Sequence, residues 1–183
     1  MTVTTLDPKT ALVVIDLLKG LAAYPTVHPM ADVLANAVAL LDTFRAKGLP
    51  VVLVTVTGGA PGRAEQQRPR GAFADDFSQF MPELRQRPSD HVVTKRTWGA
   101  FTGTDLEAWL KSQGATQVVV IGVSTSAGVE STARFAHELG FNVTLAVDAM
   151  TDTNADAHAN SVARIFPRIG ETGTTSEILA LLA

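Results

Sequence analysis

The sequence predicts one α/β domain, residues 1–183, with a doubly wound, mostly parallel six-stranded sheet and helices on both faces. Short apolar segments rich in β-branched residues alternate with amphipathic helical segments along the chain. This alternation predicts parallel strands joined by right-handed crossovers. The strand segments are apolar at successive positions, which is typical of strands buried on both faces. No internal repeat and no interdomain linker interrupts the pattern.

The first strand is predicted over residues 11–15 (ALVVI), directly before Asp16. A helix follows over residues 31–47, because its apolar side chains fall on one stripe at helical spacing. Gly48 closes this helix, since glycine readily adopts the left-handed conformation found after a last helical turn. After Pro50, the run VVLVTV predicts the second buried strand.

The segment from Thr57 to Ser89 is rich in Gly, Pro, Arg and Gln, which predicts an irregular loop with one short helix at 77–84. Loops of this length often cover ligand sites, so we expect it to influence the choice of substrate. The third strand is predicted at 91–94 and the next helix at 104–113.

The second half of the chain continues the alternation. The predicted elements are, in order, a strand at 117–121, a helix at 126–139, a strand at 141–147, a helix at 155–165, an edge strand at 171–174 and a helix at 176–182. Ligands of such sheets bind beyond the carboxyl ends of the strands. The residues predicted there are Asp16, Thr57, Lys95, the turn 122–128 and Asp148.

Composition and charge exclude several classes of function. With 15 basic and 18 acidic residues the net charge is -3, so neither a nucleic acid nor a membrane is an expected partner. The absence of cysteine excludes a disulfide framework, a thiolate metal site and a cysteine nucleophile. The N-terminus has no basic segment followed by an apolar core, so we expect a cytoplasmic protein.

Asp16 and Lys95 are the first candidates for catalysis. A carboxylate at the end of an apolar strand loses water, which raises its pKa and suits a general acid or base. The alternative is a carboxylate that caps a helix or pairs with an arginine. The Lys95 ammonium would lie near the neighbouring strand ends, where it could hold Asp16 ionised or stabilise an anion. The alternative for Lys95 is a surface lysine in a basic loop.

The turn 122–128 (GVSTSAG) consists mainly of small residues and leads into a helix. Backbone N–H groups at a helix N-terminus can face an anion or an oxyanion, so this turn is a candidate oxyanion hole. The alternative is structural: Thr125 and Ser126 would be helix caps, and Gly128 would permit close packing against the sheet.

A serine hydrolase is a second interpretation, because Ser124 or Ser126 precedes Asp148 and His158 in the order Ser, Asp, His. The spacing approaches the G-x-S-x-G elbow, but Ser126 occupies the position of the last glycine. The four histidines are scattered, which predicts no metal site. No G-x-G-x-x-G or Walker A motif follows a strand, so no cofactor is predicted.

Five segments, in order and spacing, resemble the isochorismatase-like hydrolase superfamily, also called cysteine hydrolases, from near residue 11 to the C-terminus. They are ALVVIDLLKG, KGLPVVLVTV, TKRTWGAFTGTDLEAWL, VVVIGVSTSAGVESTARFAHELGFNVTLAVDAMTD and FPRIGETGTTSEIL. In that superfamily a strand-end aspartate, a lysine after the third strand and a cysteine beginning a later helix form the catalytic triad. The resemblance assigns the first two roles to Asp16 and Lys95. Most members read G-V-x-T-x-x-C-V where this chain reads GVSTSAGV, so Gly128 takes the place of the cysteine.

True isochorismatases, which cleave a vinyl ether to give pyruvate, also have glycine at this position, and their aspartate acts as general acid. The resemblance therefore implies a hydrolase of a small molecule in which Asp16 donates a proton, Lys95 orients it, and the turn 122–128 positions substrate or water. It also implies a cis peptide between Val123 and Ser124. The nicotinamidase branch carries an Asp/His metal cluster after the second strand, where this chain reads TVTGGAPGR, so the resemblance implies no metal.

The resemblance also implies residues that bind the substrate. These are Trp98, Phe101, Ser124, Thr125 and Ser126, with Arg96 and Arg63 as candidate partners of substrate carboxylates. Trp98 and Phe101 are equally compatible with places in the core. We expect a homo-oligomer, a dimer or larger, as is common in the superfamily.

Two alternatives to the general-acid hydrolase stay open. One is a catalytically inactive protein that binds a small molecule in the inherited pocket. The other is a hydrolase that uses Ser124 or Ser126 as its nucleophile.

Overall fold

A computed structural model describes residues 3–65 and 76–183 of the chain. It contains one six-stranded sheet with the strand order β3-β2-β1-β4-β5-β6, in which every neighbouring pair is parallel. The strands are β1 (Thr10–Ile15), β2 (Val51–Val56), β3 (His91–Lys95), β4 (Gln117–Val123), β5 (Asn142–Thr151) and β6 (Glu171–Gly173). This confirms the predicted doubly wound α/β fold, with a sheet that is parallel throughout.

Helices cover both faces of the sheet. They are α1 (Met30–Ala46), α2 (Leu106–Ser112), α3 (Glu130–Glu138), α4 (Ala155–Asn160), α5 (Phe166–Ile169) and α6 (Thr175–Leu182). Side chains of β1 alternate between the faces, as the period of a strand requires. Leu12 and Val14 pack in a core with α1 and α6, whereas Val13 and Ile15 pack in a second core with α2, α3 and α5. None of the helices in residues 3–65 and 76–183 is long and apolar enough to cross a membrane.

Helix α1 forms for the reason that its sequence indicates. Its buried side chains are the apolar stripe Val33, Ala37, Leu40, Leu41 and Phe44. The helix ends where Gly48 adopts a φ of 64°, a left-handed conformation that glycine takes without steric cost. The predicted helix and its predicted end are both present.

The short helix predicted at 77–84 is wrong except for its last turn, a 3-10 turn at Pro82–Leu84. Residues 76–78 form a turn, and Phe80 and Met81 then pair with the chain that leaves β1. Leu18 forms an antiparallel bridge with Phe80, and the Met81 N–H donates to the Leu17 carbonyl. These long-range backbone bonds replace the bonds that a helix would make.

The fifth strand is longer than predicted, and Asp148 does not lie at its end. The pairing of β4 with β5 shifts between Val120 and Gly122, and β5 then continues to Thr151. Asp148 lies in the irregular part of β5, where its carboxylate accepts hydrogen bonds from the N–H and hydroxyl groups of Thr175 in α6. The prediction that Asp148 stands at the carboxyl end of β5 is therefore wrong. Asp152 follows the strand instead.

The helix predicted over 155–165 is interrupted. Helix α4 is followed by a wide π turn at Ser161–Ile165 before α5 begins. The Ser161 hydroxyl lies within hydrogen-bond distance of the Ala157 carbonyl, four residues earlier, and of the Glu130 carboxylate. Such bonding by a serine within a helix competes with the regular helical bonds and bends the chain.

Candidate functional site

Asp16 and Lys95 form a buried ion pair beyond the carboxyl ends of β1 and β3. The Lys95 Nζ atom lies 2.7 Å from Asp16 Oδ2, and the two side chains are only 3% and 8% exposed respectively. Because β2 separates β1 from β3, the lysine side chain reaches across one strand end to meet the carboxylate. Its ammonium also donates to the Thr97 carbonyl. The structure thus brings together the two residues that the sequence indicated first.

Burial sets the protonation of this pair. Loss of water raises the pKa of Asp16 to about 6, and the attraction and hydrogen bond of the Lys95 ammonium oppose that rise. A carboxyl group with such a pKa exchanges its proton near neutral pH. It can therefore serve as an acid in one step and as a base in another.

The second oxygen of Asp16 is the unusual atom of the site. Oδ1 is buried and has no hydrogen-bond partner within the described residues. An unsatisfied buried acceptor costs roughly 1–3 kcal/mol, so such atoms are rare outside functional sites. Asp16 also has a φ of 48°, in the left-handed region that few non-glycine residues enter. Both features are typical of a residue placed for function.

A turn at the end of β4 lies against this carboxylate. The peptide bond between Val123 and Ser124 is cis, as the resemblance implied. Residues Thr125–Val129 then form a wide π turn that leads into α3, with the N–H groups of Ala127 and Val129 both donating to the Ser124 carbonyl.

Gly128 is the residue of this turn nearest to the carboxylate. A Cβ atom at this position would lie 3.5 Å from Asp16 Oδ2 and 2.9 Å from the Ile15 side chain. A side chain here would begin in contact with both the aspartate and Ile15. Asp16, Lys95 and Gly128 therefore share one site.

Asp152, which the sequence analysis missed, holds the turn from the other side. This buried carboxylate accepts the N–H and the hydroxyl of Ser126, at 2.8 and 2.7 Å, through one oxygen. Its other oxygen accepts the N–H of Asn154. Asp148 is predicted at the strand end instead because it interrupts the apolar run of β5, three residues before the strand ends.

His158 does not meet either serine. Its Nδ1 atom lies 2.9 Å from the hydroxyl of buried Thr125, and its Nε2 atom lies 3.3 Å from Nε2 of His28. Burial lowers the pKa of His158, His28 lowers it further, and Asp152 opposes the shift. In the described part of the chain, no hydrogen bond joins His158 to Ser124, Ser126 or Asp148. A serine nucleophile would have no histidine base here.

Residues 10–177 match the family model of the isochorismatase domain. The chain belongs to the isochorismatase family. It is 42% identical to the isochorismatase family protein YecD of Escherichia coli O157:H7 over 94% of this chain and 96% of that protein.

Two solved structures are similar to this family member. An isochorismatase family protein from Burkholderia thailandensis superposes with a TM-score of 0.94 at 38% identity, covering 97% of both chains. The N-carbamoylsarcosine amidase of Thermoplasma acidophilum superposes with a TM-score of 0.74 at 25% identity, covering 91% of this chain and 96% of that one. An amidase is a hydrolase, so hydrolases occur among the proteins that share this fold.

In this isochorismatase-family protein, the two aromatic residues predicted to line the pocket lie in different environments. Trp98 is 64% exposed, three residues after Lys95. Phe101 is buried in the core, where its ring stacks on Phe141 with 6.2 Å between ring centroids. Phe101 thus occupies the core position that the sequence left open as its alternative. Arg96 and Arg63 are both exposed, and the Arg96 side chain lies beside the backbone of Gly58.

No group of three His, Cys, Asp or Glu residues that could hold a metal ion occurs among residues 3–65 and 76–183. The described residues that follow β2, residues 57–65, contain one acidic side chain, Glu65, and no histidine. The side chains present there do not fit the Asp/His cluster of the nicotinamidase branch.

Proposed function

We propose that this protein is an isochorismatase-family hydrolase that cleaves the vinyl ether of a small molecule by general-acid catalysis, without a nucleophilic side chain. Asp16 is the proton donor, Lys95 orients it, and Gly128 takes the place of the family's cysteine. The proposal rests on the buried carboxyl group of Asp16. One of its oxygens pairs with the Lys95 ammonium, and the other has no hydrogen-bond partner among the described residues. Beside it stands a residue with no side chain.

The reaction needs a proton and a water molecule. Asp16 transfers its proton to the methylene carbon of the enol ether, which becomes a methyl group and leaves an oxocarbenium ion. Water adds to that cation, and the resulting hemiketal collapses to pyruvate and an alcohol. A proton released by the added water returns to Asp16. One water is consumed for each pyruvate and each alcohol formed, and no covalent bond to the protein is needed.

The pKa of about 6 for Asp16 suits this step. At neutral pH roughly a tenth of such groups are protonated, and each is a strong enough acid to protonate an electron-rich carbon. After the transfer, the new carboxylate lies 2.7 Å from the Lys95 ammonium, which stabilises the charge that the step creates. The same cation keeps the carboxyl in one orientation through its hydrogen bond.

Gly128 keeps side-chain atoms away from the acid. A side chain there would begin 3.5 Å from Asp16 Oδ2, the oxygen that accepts from Lys95, and would crowd the carboxyl group. The missing cysteine is therefore consistent with a reaction that needs no nucleophilic side chain. Arg96 and Arg63, both exposed, are candidate partners for substrate carboxylates.

The test is release of pyruvate from isochorismate by the purified protein, measured with lactate dehydrogenase and NADH. We expect one pyruvate for each isochorismate consumed, and no labelling of Ser124 or Ser126 by a fluorophosphonate. Pyruvate release that stops when one of these serines is labelled would favour the serine nucleophile. No release by the folded protein would exclude isochorismate as the substrate and favour either another small molecule or a protein that only binds its ligand.

A further inference from the structure

His28 and His158 face each other on the surface of the molecule, although 130 positions separate them in the sequence. His28 lies in the connection between β1 and α1, and His158 lies in α4. Their Nε2 atoms are 3.3 Å apart and their ring planes meet at 76°. His28 is held by its backbone, because its N–H donates to the Thr151 hydroxyl and its carbonyl accepts from that hydroxyl.

The His158 ring is oriented by a hydrogen bond at its other nitrogen. Nδ1 lies 2.9 Å from the hydroxyl of Thr125, which is fully buried. A histidine that binds a metal through one ring nitrogen commonly makes such a bond with the other, which fixes the ring and the nitrogen that carries the proton. With its proton on Nδ1, His158 directs the lone pair of Nε2 towards His28.

The distance between the two Nε2 atoms fits two ligands of one ion. With zinc–nitrogen bonds of about 2.0–2.1 Å and tetrahedral angles, two ligating nitrogens stand about 3.3–3.4 Å apart. A hydrogen bond from an N–H group is shorter, most often about 2.9–3.0 Å. The observed 3.3 Å matches the ligand pair better than it matches a hydrogen bond.

We propose that His28 and His158 form a binding site for a divalent transition-metal ion such as Zn²⁺ or Cu²⁺. Imidazole nitrogen is a preferred ligand of these ions. Since the described residues supply no third histidine, cysteine or carboxylate to complete a cluster, the other coordination positions go to water or to an oxygen or nitrogen of a bound molecule. In the described residues no hydrogen bond joins either histidine to Asp16 or Lys95, and the proposal does not depend on vinyl-ether cleavage.

Titration calorimetry with Zn²⁺ tests the site, using the full chain without a histidine tag at about pH 7.5, where unperturbed histidines are neutral. We expect one Zn²⁺ per chain and at least tenfold weaker binding by His28→Ala, a variant that keeps the backbone bonds of residue 28 to Thr151. His137→Ala, which removes an exposed histidine of α3, is the matched control and should bind as the wild type does. Equal affinities of the wild type and His28→Ala would overturn the proposal.

A second measurement locates the ion. Paramagnetic Cu²⁺, added below one equivalent and followed by NMR of the histidine rings, should broaden the signals of His28 and His158 first. His91 stacks on Trp109 and His137 lies on α3, so their signals should persist. Earlier broadening of His91 or His137 would show that the ion binds elsewhere and would contradict the proposed site.

Discussion

Replacing Lys95 with methionine should raise the pKa of Asp16 and move the pH dependence of turnover with it. Methionine keeps an unbranched side chain, one atom shorter than that of lysine, but removes the charge that lies 2.7 Å from Asp16 Oδ2. A nearby opposite charge typically lowers the pKa of a carboxyl group by about 1–3 units. Without it, the pKa of Asp16 should rise from about 6 to roughly 7–9.

The assay has two parts. An NMR titration of the ¹³C-labelled Asp16 carboxyl reports its pKa directly, even if Lys95→Met is inactive. In the pH dependence of kcat/KM, a general acid is active when protonated, so the rate of the wild type should fall above pH 6 by about tenfold per unit. Any activity that remains in the variant should fall only above its higher pKa.

Stability should follow the same titration. The folded-state pKa of Asp16 lies above its ordinary value of 3.8, so the folded state binds the proton more tightly than the unfolded state does. This contribution to the unfolding free energy is fully present below that ordinary pKa and is lost as the pH rises to the folded-state pKa. In the wild type the loss should be complete just above pH 6, whereas in Lys95→Met it should continue to roughly pH 7–9.

Lys111→Met is the matched control, because Lys111 pairs with Glu107 on the exposed surface of α2. It should change neither the Asp16 titration nor the stability profile. An unchanged Asp16 pKa in Lys95→Met would refute the electrostatic coupling on which the site depends.

Two further substitutions test the turn. Gly128→Ala would place a methyl group 2.9 Å from a β1 side chain, so it should cost about 1–3 kcal/mol of unfolding free energy and reduce turnover. Gly59→Ala, with open space around it, should stay within about 0.5 kcal/mol in urea unfolding; equal effects would contradict the packing argument. Asp152→Ala removes the acceptor of two Ser126 bonds and should cost about 2–3 kcal/mol, while exposed Asp156→Ala should be nearly neutral. A stable Asp152→Ala protein would show that Asp152 does not hold the turn.

Asp16 and Lys95 could be found from the sequence because each directly follows a predicted strand. In a parallel sheet all carboxyl ends lie at one edge, so side chains from β1 and β3 meet there. Gly128 could be placed near them only through the resemblance to a family. Its distance from the carboxylate depends on the wide turn at Thr125–Val129, for which the sequence has no clear local signal.

The errors arose where long-range contacts override local patterns. Asp148 was placed at a strand end because the local pattern does not show that β5 continues after its shift in register. The helix at 77–84 was wrong because that segment pairs with residues after β1. His28 and His158 come from segments that are 130 residues apart in the sequence. The scattered positions of the histidines therefore did not indicate that these two side chains lie next to each other.

The most direct test of Asp16 as the proton donor is cleavage of isochorismate in D₂O by the wild type and Asp16→Asn, followed by NMR. Pyruvate formed by the wild type should carry one deuterium in its methyl group at the earliest times. Asp16→Asn should be slower by about 10²–10⁴-fold, the range that general-acid catalysis contributes. An unchanged rate in folded Asp16→Asn, or early pyruvate without deuterium, would contradict the assignment of Asp16 as the proton donor.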